Sequence, residues 1–172
     1  MKLVILGLLL LQPMSLYDLH KSFQAGVSLF YSASFGALQR ALTQLVAEGL
    51  VVAVPQPGDP RGKKLHSITD AGGLSWRDGM LAPLPASGVE TAILARVFFL
   101  GMLDDADRAA VTTLCRERVA SDLAELRAAA VELDALEIPP EFAAAFRYQR
   151  ATLDYGVRSN EVAAEWLEGL PD

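Results

Sequence analysis

The chain has 172 residues, 52% of them hydrophobic, a formal net charge of −6 and one cysteine, Cys115. That apolar content excludes a disordered chain. The lone cysteine excludes an internal disulfide framework and suits a reducing compartment, and the length allows one medium domain or two small ones. The charge is unevenly divided. Residues 1–80 carry seven basic and five acidic side chains, residues 81–172 eight arginines and sixteen acids. Only the first half is suited to face a polyanion.

The chain opens MKLVILGLLLLQPMSLYDLHKSF, in which Leu3 to Leu11 are all apolar or glycine. A secretory signal needs a small-x-small cleavage site after such a run, but Gln12, Pro13 and Met14 follow directly. A membrane helix needs about 20 apolar residues, roughly twice this run. The expectation is a buried helix from about Met1 to Leu11, stopped before Pro13 because the residue before a proline avoids the helical region. No other long apolar segment occurs, so a soluble cytoplasmic protein without a membrane partner is expected.

Ser15 can cap a second helix, with Asp18 three residues on in a capping-box pattern. Leu16, Leu19 and Phe23 recur at helical spacing up to Ala25-Gly26. Ser32 or Ser34 can cap a third helix that ends at Gly49. The stretch LVVAVPQPGDPRGKKLHSIT then reads as strand, turn, strand. A fourth helix is expected from about Asp70 to Leu81. APLPASG (82–88) breaks the pattern, which sets domains at 1–81 and 88–172 joined by a linker at 82–87. Beyond it the periodicity is helical throughout. One helix covers about 88–103, and a long one capped by Asp104 or Asp105 reaches about Leu136. IPPEF interrupts, and a last helix with Pro140 in its first turn runs to about Leu170.

Three helices followed by a hairpin is the order of a winged helix, in which a helix enters the major groove and the hairpin touches the neighbouring backbone. On the third helix Phe35, Leu38, Leu42, Leu45 and Val46 form one stripe, expected to pack on the first two helices. The opposite face carries Ala33, Gly36, Ala37, Arg40, Gln44 and Ala47, with Gln39 beside it. Arginine and glutamine can each make paired hydrogen bonds, to guanine and adenine respectively. A solvated helix face would explain the same residues, although alanine and glycine are not usual solubilising choices. The turn GDPRGKK gathers Arg61, Lys63 and Lys64 in four positions, as phosphate neutralisation requires. Basic turns are common, and this one gains weight by following that helix.

Residues 1–81 resemble the PadR family of bacterial transcriptional regulators. The likeness rests on ILGLLLLQPMSLYDL at 5–19, FGALQRALTQLVAEGLV at 35–51 and LHSITDAG at 65–72. The closing Glu165-Trp166-Leu167 and the length of the helical second half are similar to the longer branch of that family. The pattern is broken where Leu16 replaces a glycine, Ala37 and Gln39 replace a serine and a tyrosine, and His66 replaces a strand tyrosine. The substitutions at 37 and 39 imply an altered operator preference. The resemblance implies a winged helix-turn-helix with a two-stranded wing, followed by a helical dimerisation domain. It also implies a cytoplasmic homodimeric repressor on an inverted-repeat operator, with no enzymatic activity. The expected DNA-contacting residues are then Tyr17, Lys21, Ser34, Gly36, Ala37, Gln39, Arg40, Gln44, Arg61, Lys63 and Lys64.

The long helix carries Val119, Leu123, Leu126, Ala130 and Leu133 as a stripe, broadened by Val111, Leu114, Val131 and Leu136. Surplus apolar surface of this kind marks an interface. Val119, Leu123, Leu126, Leu133 and Trp166 are the expected dimerisation residues. Phe98, Phe99, Tyr148, Tyr155, Trp76 and Trp166 are candidate linings for a small-molecule effector, although aromatics at helical spacing are more often core. No cofactor and no metal is expected: Gly58 to Lys63 fails the phosphate-loop spacing, and His20, His66 and one cysteine make no zinc set. Cys115, within the long helix's stripe, is expected to be buried and structural rather than a redox sensor. Two alternatives remain, a winged-helix protein-interaction module without DNA binding and a small-ligand-binding helical protein.

Overall fold

The computed structural model describes residues 1–55 and 63–171. Seven α-helices and two strands appear among them, in the order α1 (Lys2–Leu11), α2 (Leu16–Ala25), α3 (Phe35–Ala47), β1 (Val51–Pro55), β2 (Lys64–Ile68), α4 (Asp70–Leu81), α5 (Val89–Phe98), α6 (Asp105–Asp134) and α7 (Ala143–Glu168). The architecture is mainly α: an N-terminal winged helix-turn-helix with a two-stranded wing, then a helical region. The chain divides into two compact units, Met1–Val111 and Thr112–Asp172.

The apolar opening is a core helix. Val4, Ile5, Leu6, Leu8 and Leu9 are buried, with α3, α4 and β2 as neighbours. A helix apolar on every side must be covered on every side. Gln12 breaks α1 with an extended backbone, as the following proline demands. Met14 then bridges backbone to backbone with His66, at 3.0 and 2.8 Å, and so joins the start of α2 to the wing.

Local rules account for the next turns. The Ser15 hydroxyl accepts from the Asp18 N–H at 3.2 Å, and the Asp18 carboxylate accepts from the Ser15 N–H at 3.2 Å. This is the expected capping box. Of the two candidate caps for α3, Ser34 is used, its hydroxyl accepting from the Ala37 N–H at 3.2 Å. At the other end Gly49 adopts a left-handed φ of 72°. Gly49 and Leu50 donate back to the Val46 and Leu45 carbonyls, a turn that favours glycine because a side chain is strained there.

The packed stripe of α3 is narrower than expected. Leu38, Leu42 and Leu45 are buried, but Phe35 and Val46 are 44% and 36% exposed. Both lie at one edge of the stripe, and the covering helices reach only its centre. Phe35 stands at the first helical position, where its ring makes a T-shaped contact with that of His20, centroids 5.4 Å apart.

The wing strands pair antiparallel, Val51 opposite Ile68 through Pro55 opposite Lys64. Thr69 then caps α4, accepting from the Gly72 N–H at 3.1 Å. A Cβ at Gly72 would lie 2.1 Å from the Leu50 carbonyl oxygen, so only glycine lets α4 start this close to the wing root.

The first compact unit continues past Leu81. Arg96, 5% exposed, donates to the carbonyls of Gly79, Met80 and Ala82 at 2.9–3.2 Å, closing the end of α4. Arg77 on α4 makes a two-pronged pair with Asp107 at the start of α6. The Asp104 carboxylate caps that helix through the Asp107 N–H at 2.8 Å. Val111, expected to broaden an exposed stripe, is fully buried here.

In the second unit α6 and α7 run antiparallel. Arg127 meets Glu161 at 2.7 Å, Arg150 meets Asp134 at 2.7 Å, and Arg116 reaches the Leu167 carbonyl at 2.9 Å. Cys115 is buried, as expected. The expected long helix stops at Asp134, two residues early. Pro140–Phe142 form a 3-10 turn before α7.

Candidate nucleic-acid interface

A cleft of about 780 Å³ opens between α2, α3 and the wing. Each wall has a local cause. The capping box at Ser15 starts α2 so that Leu16 and Tyr17 stand at the cleft, with Tyr17 68% exposed. The flank of α3 supplies Phe35, Gln39, Thr43 and Val46, which follow one another at helical spacing beside the buried Leu38–Leu42–Leu45 stripe. The pairing of β1 with β2 brings Lys63, Lys64 and His66 to the opposite side, and Leu42 and Ala53 complete the lining. The two α3 residues missing from the expected stripe are therefore part of this cleft.

The electrostatics are mixed. Lys63 Nζ lies 3.5 Å from Asp18 Oδ2, with both side chains accessible to solvent. Asp18 is held below the usual carboxylate range, chiefly by the Ser15 hydroxyl; the Ser15 N–H and the Lys63 charge act in the same direction and burial opposes them. His66 is half-buried, with Nδ1 3.3 Å from the Met14 carbonyl oxygen. Burial lowers its pKa from 6.5; the Lys64 charge adds to the effect and the Met14 contact works against it. The Thr43 hydroxyl donates to the Gln39 carbonyl at 2.9 Å. This turns the hydroxyl back to the helix.

Of the eleven DNA-contacting candidates, Tyr17, Gln39, Lys63 and Lys64 come together in the cleft. Gly36, Ala37 and Arg40 lie on α3 outside its lining, and a Cβ built on Gly36 would sit 3.6 Å from Arg40 Nη1. The arginine is thus folded back toward the N-terminal end of its helix. Ser34 serves as the cap of α3. Gln44 is turned elsewhere, donating to Glu48 at 2.8 Å, and Glu48 in turn pairs with Lys2 at 3.1 Å. Lys21 is exposed on α2. Arg61 lies outside the described residues. Thr43, Phe35 and Val46 were absent from the candidate set, because the side of α3 that faces the wing depends on where the hairpin returns. His66, which the sequence places on a strand as a partly buried or DNA-side polar residue, is half-buried and lines the cleft.

The proposed dimer residues fall into two groups. Val119 is buried within the single chain, and Leu123, Leu126 and Leu133 are half-covered. Trp166 is 38% exposed. A more continuous apolar surface lies on α7, where Tyr148, Tyr155 and Val162 recur every seven residues and are 78%, 74% and 66% exposed. Among the effector candidates, Phe99 packs edge to face with both Trp76 and Phe98 in the first unit. Among the described residues no helix is long and apolar enough to cross a membrane.

The fold and the cleft define a winged helix-turn-helix whose wing presents lysines beside its third helix. Residues 91–170 match the family model described as virulence activator alpha C-term. The chain is similar in structure to Bacillus subtilis PadR in complex with operator DNA (23% identity over 97% of this chain and 93% of that one, TM-score 0.46). It is also similar to the same protein in complex with p-coumaric acid (22% identity, 97% and 90%, TM-score 0.43). A third similar structure is the Vibrio cholerae virulence activator AphA (22% identity, 97% and 93%, TM-score 0.44). No curated protein sequence matches the chain.

Proposed function

We propose that the protein is a PadR-family transcriptional regulator that binds double-stranded DNA as a homodimer, without enzymatic activity, in the cytoplasm. The carrying observation is the cleft, where an exposed tyrosine, a glutamine and two lysines from three separate elements converge on one side of the third helix. Phosphate contacts need clustered cations, and base reading needs an exposed helix face beside them. Lys63, Lys64, Tyr17 and Gln39 belong to the phosphate side, with Arg61 and Lys21 as further cations. Arg40, folded over Gly36 toward the helix start, is assigned to base edges, and Gly36 and Ala37 to close approach. Residues 1–81 are the DNA-binding part and 88–172 the dimerisation part, joined at 82–87.

The seven-residue apolar spacing on α7 supports dimerisation through the helical part, since such a seam buries against a second helix. Trp166 adds to it, and Leu123, Leu126 and Leu133 contribute where α6 is half-covered. A two-fold dimer reads an inverted repeat with half-sites about 34–36 Å apart or a multiple of that. Repression is the direction of regulation we infer, by occupancy of the operator, and a small-molecule effector is a further proposed partner. Selection of bound sequences from random duplexes tests the whole reading. Recovery of an inverted repeat supports it. Failure to enrich any sequence, together with capture of the full chain by a protein partner, would replace it with a protein-interaction module.

A further inference from the structure

Asp18 is out of place on a surface meant for phosphates. Its Oδ2 accepts from the Ser15 hydroxyl at 2.6 Å and from the Ser15 N–H at 3.2 Å, and it faces Lys63 Nζ at 3.5 Å. Among the described residues Lys63 and Lys64 are the cations of the cleft lining, and Asp18 offsets one of them. The pair does not explain how the wing is held. Its side chains are 39% and 45% exposed, and an exposed ion pair contributes about 0–1 kcal/mol to folding. The Met14–His66 backbone bridge already fixes β2 to the start of α2. Nor does capping require a charge, since an asparagine oxygen accepts the same hydrogen bonds.

What the charge does affect is a polyanion. A phosphate that approaches Lys63 must displace Asp18 or share the cation with it, and either way it gains less than from a solvated lysine. Resting on the reading of this cleft as the DNA-contacting face, we propose that Asp18 is a positioning residue that holds Lys63 within the protein and so weakens the wing's sequence-independent grip on phosphate. The chain as a whole is acidic and its first half carries only a small basic excess. One neutralised lysine is therefore a sizeable part of its pull on DNA.

The test is the salt dependence of binding to a random duplex by the full chain, its Asp18→Asn and Lys63→Ala variants, and the double variant. Asp18→Asn should leave the chain folded at the temperature of the assay and steepen the slope of log affinity against log salt by about 0.9. Its advantage over the unaltered chain should then grow about 3.5-fold between roughly 200 and 50 mM salt. Lys63→Ala should flatten the slope by nearly a full contact in the Asp18→Asn background and by clearly less with Asp18 present. A slope unchanged in Asp18→Asn overturns the proposal, as does an equal gain in the Lys63→Ala background, which would mean Asp18 repels DNA directly. If no variant binds any duplex at low salt, the DNA-binding reading falls with it. If the unaltered chain binds and Asp18→Asn merely matches it, only the role of Asp18 falls.

Discussion

Replacing Arg96 by methionine probes a buried charge that closes a helix. Arg96 is 5% exposed and donates to the Gly79, Met80 and Ala82 carbonyls, groups at the end of α4 that no further turn of helix can satisfy. Methionine keeps much of the apolar stem and removes every donor. Hydrogen bonds to a charged group contribute about 1.5–3 kcal/mol each, and carbonyls left buried without donors add to the loss. Methionine also removes the cost of burying a cation, so the loss is less than the sum of the hydrogen bonds. We expect a net loss of about 3 kcal/mol, which for a chain of this size lowers the melting temperature by roughly 6–12 °C. The assay is urea and thermal unfolding followed by indole fluorescence in a Trp166→Phe background, where Trp76 is the sole tryptophan and reports the unit that holds Arg96. Lysine at 96 should be intermediate, because one ammonium cannot fork across the same carbonyls. A methionine variant as stable as the parent would refute the assignment of Arg96 as the closure of α4.

Alanine at Gly72 should destabilise the first unit by about 2 kcal/mol or more, since its Cβ would stand 2.1 Å from the Leu50 carbonyl oxygen and overpacking of this kind costs roughly 1–3 kcal/mol. Equilibrium denaturation checks it. His66 has a folded pKa below 6.5, so the unfolded chain takes up its proton first; this contribution to stability is present above pH 6.5 and is lost as pH falls through the lowered folded value. His66→Asn should flatten the pH dependence of the melting temperature in that window and leave it unchanged at pH 8. Tyr155→Glu, on the exposed face of α7, should convert the proposed dimer to monomer in light scattering at micromolar concentration with its helix content retained.

Features set by neighbouring residues were legible in the sequence. Ser15 and Asp18 form the capping box and Gly49 ends α3, because each depends on residues within a turn of helix, and α4 spans the expected Asp70–Leu81. Features set by distant chain segments were not. Arg96 reaches carbonyls fourteen to seventeen positions earlier, and nothing in the apolar run around it, ILARVFFL at 93–100, tells where its side chain is held. Asp18 and Lys63 meet only because the Met14–His66 bridge brings the wing root back to α2. On α3, periodicity identified Leu38, Leu42 and Leu45 but overextended the buried stripe to Phe35 and Val46, whose exposure depends on where the wing leaves a cleft. Gln44 looked equivalent to Gln39 in the sequence, yet Glu48 one turn later takes its amide.

The central claim is that the cleft between α2, α3 and the wing, together with the neighbouring Gly36–Ala37–Arg40 face of α3 outside its lining, is a surface for duplex DNA. Its most direct test is binding to the selected operator and to a random duplex across a salt series, for the full chain and for Lys64→Ala and Arg40→Ala. Lys64→Ala is predicted to weaken both duplexes alike and to flatten the salt slope by about one unit. Arg40→Ala is predicted to cost about 1–3 kcal/mol on the operator and little on the random duplex. Binding by the full chain that both substitutions leave unchanged, or no binding at low salt, would contradict the account.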